Sequence, residues 1–112
     1  MLIRYAFFRG QIKAGREADF ARHVQDKLVP LWTRFPGAKE VRILRQRHTD
    51  ATDLNLPLGI AIRFDTQEDI DAALASPARL ESQAESRKLM EMFDGTVFHT
   101  VFDAQEFVGP SD

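Results

Sequence analysis

Between residues 16 and 35, apolar side chains recur at Phe20, Val24, Leu28, Leu31 and Phe35. Steps of four, four, three and four keep all five within one helical stripe about 80° wide, which makes the segment a long helix laid on something flat. Any fold available to this chain must supply that flat apolar partner. One border of the stripe carries His23, Lys27 and Arg34, and the other carries Trp32. Pro30 removes an amide donor and bends the last turns, and Pro36-Gly37 ends the helix.

The flat partner is read from alternation elsewhere in the chain. Residues 2–9 are aromatic and β-rich with Arg4 inside, and Gly10 followed by Gly15 breaks the run before the helix. Residues 39–48 alternate, with Val41 and Ile43 on one face and Arg42, Leu44 and Gln46 on the other, and they end in the basic group Arg45, Arg47 and His48. In residues 58–64, Ile60, Ile62 and Phe64 share a face opposite Gly59, Ala61 and Arg63. Thr66 with Asp69 resembles a capping box ahead of Ile70, Ala73 and Leu74, and Ser76-Pro77 reads as an N-cap and first position of a second helical piece running to Asp94-Gly95. That piece is weakly amphipathic and is expected at the rim. Residues 96–107 alternate Phe98, Thr100 and Phe102 against Val97, His99 and Val101.

Strand, helix, strand, strand, interrupted helix, strand is the order of a split βαβ unit, an α+β ferredoxin-like sandwich with a four-stranded antiparallel sheet. The expectation is one domain over residues 1–108 and a tail over residues 109–112. The first and last strands carry apolar residues on both faces, so the face without helices also needs cover, and a homodimer packing sheet on sheet is the simplest one.

Composition removes several function classes. The 15 basic and 17 acidic side chains leave a net charge of −2, which gives no field for nucleic acid or an acidic membrane. With no cysteine there are no disulfides, thiolate nucleophiles or cysteine metal sites, which fits a cytoplasmic protein. No apolar run has the length of a membrane span. The glycines form no phosphate loop, and His23, His48 and His99 lack metal-ligand spacing, so neither a cofactor nor a metal is expected.

The chain resembles the dimeric α/β barrel superfamily, and within it the EthD-like proteins and their neighbours, the antibiotic-biosynthesis-type monooxygenases and muconolactone-isomerase-like enzymes. The resemblance runs from Ile3 to Phe107. It is carried by Phe20-Ala-Arg-His23, Val29-Pro30-Leu31, the segment from Ile70 to Pro77, and Met92-Phe93-Asp94. EthD-like chains usually place a second His two residues before the helix proline, where this chain has Leu28, so only His23 carries over. The resemblance implies a sheet-to-sheet dimer forming an α/β barrel. It also implies a hydrophobic or aromatic small-molecule ligand, handled by cofactor-independent oxygenation, isomerisation or degradation chemistry; the alternative is a non-catalytic ligand-binding or regulatory module.

His23, at the border of the stripe, is a candidate general base or, more plainly, a half-exposed helix histidine. His99, between Val97 and Val101, is either the base or a structural histidine that needs a partner. Arg4 and Arg63, on neighbouring strands, are candidates to hold an anion together or to form ordinary ion pairs. Tyr5 and Trp32 line a ligand cavity or simply fill the core.

Overall fold

In a computed structural model, which describes residues 1–110, the elements run β1 (Leu2–Ile12), α1 (Glu17–His23), a π-turn (Val24–Leu28), α2 (Val29–Trp32), β2 (Glu40–Leu44), β3 (Leu58–Phe64), α3 (Gln67–Leu74), α4 (Pro77–Met90) and β4 (Phe93–Asp103). The sheet order is β2-β3-β1-β4, with every neighbouring pair antiparallel. This is an α+β ferredoxin-like sandwich with the helices on one face. Of the tail expected at residues 109–112, Ser111 and Asp112 lie outside the described residues.

The helical stripe packs as its spacing requires. Phe20, Val24, Leu28, Leu31 and Phe35 are all buried, Leu28 completely. Phe20, Val24, Leu28 and Phe35 meet Phe8 of β1 and Leu58, Ile60, Ile62 and Phe64 of β3 in one core, closed by Ile70 and Ala73 of α3 and Leu89 of α4. Regular helix ends at Trp32 rather than at residue 35, and Phe35 is delivered to the core by a turn. The disturbance expected at Pro30 appears one turn earlier. The Val29 amide bonds the Val24 carbonyl, one residue further back than an α-helix allows. Pro30 has no amide to continue an α-pattern, so the turn ahead of it widens to hold an extra residue.

Both sequence-read caps are present. Thr66 Oγ1 accepts from the Asp69 amide at 3.1 Å, and Ser76 Oγ accepts from the Arg79 amide at 3.2 Å. Other boundaries also differ from expectation, and β4 ends at Asp103 rather than at residue 107. β2 stops at Leu44, because Gln46 turns into the following loop and bonds the backbone of Leu54 and Leu56. α4 ends at Met90, and Phe93, read as helical, opens β4 opposite Ile12. Gly10 does not break β1; it sits opposite Gly95, with both residues at positive φ, and a Cβ on either would strike the other strand's backbone. This close approach lets the β1–β4 ribbon run on past the end of β3 and turn Phe93 inward, where its ring packs against Phe8 and Phe20.

Candidate functional site

A cavity of about 410 Å³ opens between α4 and the helix-facing side of the sheet. Strand parity decides what reaches it. Arg4, Ala6 and Phe8 of β1 point to this side, as do Ile60 and Ile62 of β3 and Val97 and His99 of β4. Trp32 and Phe35 close the apolar end.

The opposite wall is α4. Arg79, Gln83, Ser86 and Arg87 lie at i, i+4, i+7 and i+8, so they share one helical stripe, and that stripe faces the cavity. This polar stripe is why the helix reads as weakly amphipathic: its inward surface is not uniformly apolar. The spacing was present in the sequence, but a polar stripe of this kind ordinarily denotes a solvated face.

Arg4, Arg79 and His99 form the charged part of the lining. Burial holds the Arg4 guanidinium down at about 10, and the charge of Arg79 adds to the effect; Arg4 is still cationic at neutral pH. Burial lowers Arg79 as well. His99 is held at about 4, first by burial of the ring and then by the charges of Arg4 and Arg79, so its imidazole is neutral at pH 7. The residue as a whole is exposed at the sheet edge, and its side chain lines the cavity with those of Arg4 and Arg79.

The sequence-derived candidates separate into three places. Arg4, Trp32 and His99 meet in the cavity. His23 does not line it. Its Nε2 lies 3.0 Å from the Glu85 carbonyl oxygen and 3.5 Å from Glu85 Oε1, which ties α1 to α4. Glu85 itself is held below the usual carboxylate range, chiefly by the hydrogen bond from Lys88, with the charges of Lys88, His23 and Lys27 adding to it. Tyr5 and Arg63 lie on the other face of the sheet. Arg4 is paired with Ile62 and Arg63 with Ile3, an offset of one residue that sends the two arginines to opposite sides. They cannot hold one anion together, and Arg63 instead pairs with Glu40 at 3.6 Å. Among the described residues, no group of three or more His, Asp or Glu side chains is placed to hold a metal ion, and no helix is long and apolar enough to cross a membrane.

On the face without helices, Tyr5 stacks on Phe7 with ring centroids 5.5 Å apart, Phe102 meets Tyr5 edge-on, and Phe98 packs against Phe7. Phe98 and Phe102 remain 38% and 54% exposed, so the aromatic layer is uncovered in the single chain.

Neither a protein-family model nor a curated protein matches the sequence. Solved structures do. An ethyl tert-butyl ether D (EthD) family protein of Bacillus halodurans superposes with a TM-score of 0.70 at 15% identity, covering 94% of this chain and 100% of that one. The chain shares that protein's fold. A dimeric ferredoxin-like protein of unknown function from Jannaschia matches with a TM-score of 0.67 at 17% identity over 92% of this chain and 98% of its own. An antibiotic biosynthesis monooxygenase-type protein of Nitrosomonas europaea matches with a TM-score of 0.64 at 12% identity, over 95% and 100% of the two chains. The structural neighbours thus include the EthD-family and antibiotic-biosynthesis-monooxygenase groups that the sequence resembles. At these identities they establish the fold and leave the chemistry to the site.

Proposed function

We propose that the protein is a homodimer that binds a hydrophobic, aromatic-sized small molecule in the cavity between α4 and the sheet, and that the chemistry it supports there is cofactor-independent proton transfer. The observation that carries this reading is the cavity itself. Its space of about 410 Å³ lies within the usual range for small-molecule sites, its walls are mainly apolar, and its polar groups converge from two sides. The dimer reading is supported by the uncovered aromatic layer on the far face of the sheet and by the dimeric description of a structural neighbour.

In the reaction that fits these residues, the neutral His99 ring takes a proton from an activated carbon. The electrons of the C–H bond move into an adjacent carbonyl, and the enolate oxygen faces a guanidinium. Where the substrate is a β,γ-unsaturated carbonyl compound the anion is a dienolate, and returning the proton from His99 to its γ-carbon shifts the double bond into conjugation, an isomerisation with no oxidant or cofactor. One observation favours the non-catalytic alternative: a histidine held at about 4 is a weak base until an anion arrives beside it.

The test is a thermal-shift screen of one- to three-ring aryl compounds, followed by product analysis of every hit. Stabilisation is expected, and it should vanish in Ser86→Phe, which fills the cavity from α4 without touching the core. Hits that stabilise Ser86→Phe equally would remove the cavity from the function. Stabilisation without product in any hit would leave the binding module.

A further inference from the structure

Three arginines line the cavity, Arg4, Arg79 and Arg87, and no carboxylate does. Elsewhere among the described residues, Arg16 and Arg22 pair with Asp19, Arg34 with Glu81, and Arg42 and Arg63 with Glu40, while Arg9, Arg45 and Arg47, which have no ion pair, are exposed to water. Among the described residues, neither Arg4 nor Arg79 has a carboxylate within ion-pair distance or a side-chain hydrogen bond, although both are partly buried. A cation withdrawn from water without a partner destabilises the fold, and two at one site add mutual repulsion. Such an arrangement persists where a ligand supplies the missing charge.

We infer that the charged wall of the cavity is a carboxylate site, and that the ligand is an apolar carboxylic acid whose carboxylate is gripped by Arg4 and Arg79. The inference rests on the reading of the cavity as a ligand site and names the chemical class of its occupant. Arg4 comes from the sheet and Arg79 from the first turn of α4, so two planar guanidinium forks reach the anion from opposite walls, an arrangement suited to a planar two-oxygen group. Trp32, Phe35, Ile60 and Ile62 offer apolar surface for the rest of the molecule. His99 completes the wall as a neutral hydrogen-bonding ring.

The charge count agrees with the proposed chemistry. One carboxylate held by both guanidiniums cancels only one of their two positive charges, so the wall stays net cationic beside any enolate oxygen formed by proton transfer to His99. A phosphorus oxyanion is less well provided for. The Arg79 amide, the donor that the helix start would contribute at this point, is already taken by the Ser76 side chain, and there is no glycine-rich loop.

The experiment is calorimetric titration of the full chain with a matched set: 2-naphthoate, 2-naphthamide and 2-naphthylphosphonate. The carboxylate is expected to bind about ten- to a hundred-fold more tightly than the amide, the range of a charge-assisted contact in a partly buried site. That preference should collapse in Arg4→Met and in Arg79→Met while the affinity for the amide is unchanged. Should Arg4→Met fail to fold, Arg79→Gln, at the helix start, carries the same comparison. Equal binding of carboxylate and amide would overturn the carboxylate site and leave the cavity reading standing. A phosphonate bound more tightly than the carboxylate would overturn it in favour of a phosphorus oxyanion. Failure of all three to bind would overturn both the carboxylate site and the reading on which it rests.

Discussion

Replacing Leu28 by alanine tests how the long helix is seated. Leu28 has no solvent exposure and closes the π-turn, enclosed between the sheet and α4. Its truncation removes both methyl groups and the methine carbon that bears them from contact. The walls that would have to collapse belong to a sheet and to a turn already widened ahead of a proline, so a cavity is left behind. Fully buried Leu→Ala changes cost about 2.7–5.0 kcal/mol, and the rigidity of these walls places this one at about 3–4 kcal/mol. For a chain of this length that corresponds to a drop of roughly 12–17 °C in Tm. The assay is urea denaturation followed by fluorescence of Trp32, the only tryptophan and a residue buried beside the same core, at a fixed protein concentration. Gln25→Ala, at an exposed position on the same π-turn, is the control and should stay within about 0.5 kcal/mol of the parent. Equal midpoints and slopes for the two variants would refute the packing argument.

Light scattering should report about twice the 12.8 kDa chain mass at micromolar concentration, and Phe102→Glu, which puts a charge into the aromatic layer, should shift the protein to monomer; a parent monomer would refute the sheet-to-sheet dimer. His23→Ala should lower stability by about 1 kcal/mol through the lost contact with Glu85 and leave the affinity of any cavity ligand unchanged; a large affinity loss in the folded variant would return His23 to the site. His99 is held at about 4 in the fold against an ordinary value of 6.5, so below pH 6.5 the unfolded chain takes up its proton first. The stability contributed by the neutral ring is therefore complete above pH 6.5 and is lost as the pH falls toward 4. His99→Gln should flatten that part of the pH profile of the urea midpoint, and an unchanged slope would show that the ring is not confined between the two arginines.

Much of the fold was legible because its signals are local. Period-two alternation sorted the side chains of β3 and β4 into the groups that the sheet separates, leaving open which group of β4 faces the helices, and Thr66 and Ser76 announced their helix starts through cap chemistry that needs no distant partner. Misplaced boundaries came from residues whose role depends on contact across the fold. Gly95 carries the same local signal as a helix stop, but its conformation serves the backbone of Gly10, more than eighty residues away in the chain. The site was half legible for the same reason. Arg4, Trp32 and His99 could be nominated from their elements, but whether Arg4 and Arg63 share a face depends on a one-residue register that no spacing within either strand encodes. Arg79 escaped because its stripe on α4 looks like an ordinary solvated helix face until the opposing wall is in place.

The π-turn between His23 and Val29 makes the two helices of this small domain unequal in how they tolerate changes of length. An α-helix that loses a residue rotates everything beyond the break by about 100°, and in α4 such a deletion would carry Arg79 away from the stripe shared by Ser86 and Arg87. The widened turn already contains one residue more than a regular turn needs, so losing Gln25 or Asp26 closes it to α geometry while the flanking segments keep their orientation. The first helix therefore has one place where the loss of a residue can be absorbed without rotating the segments on either side of it.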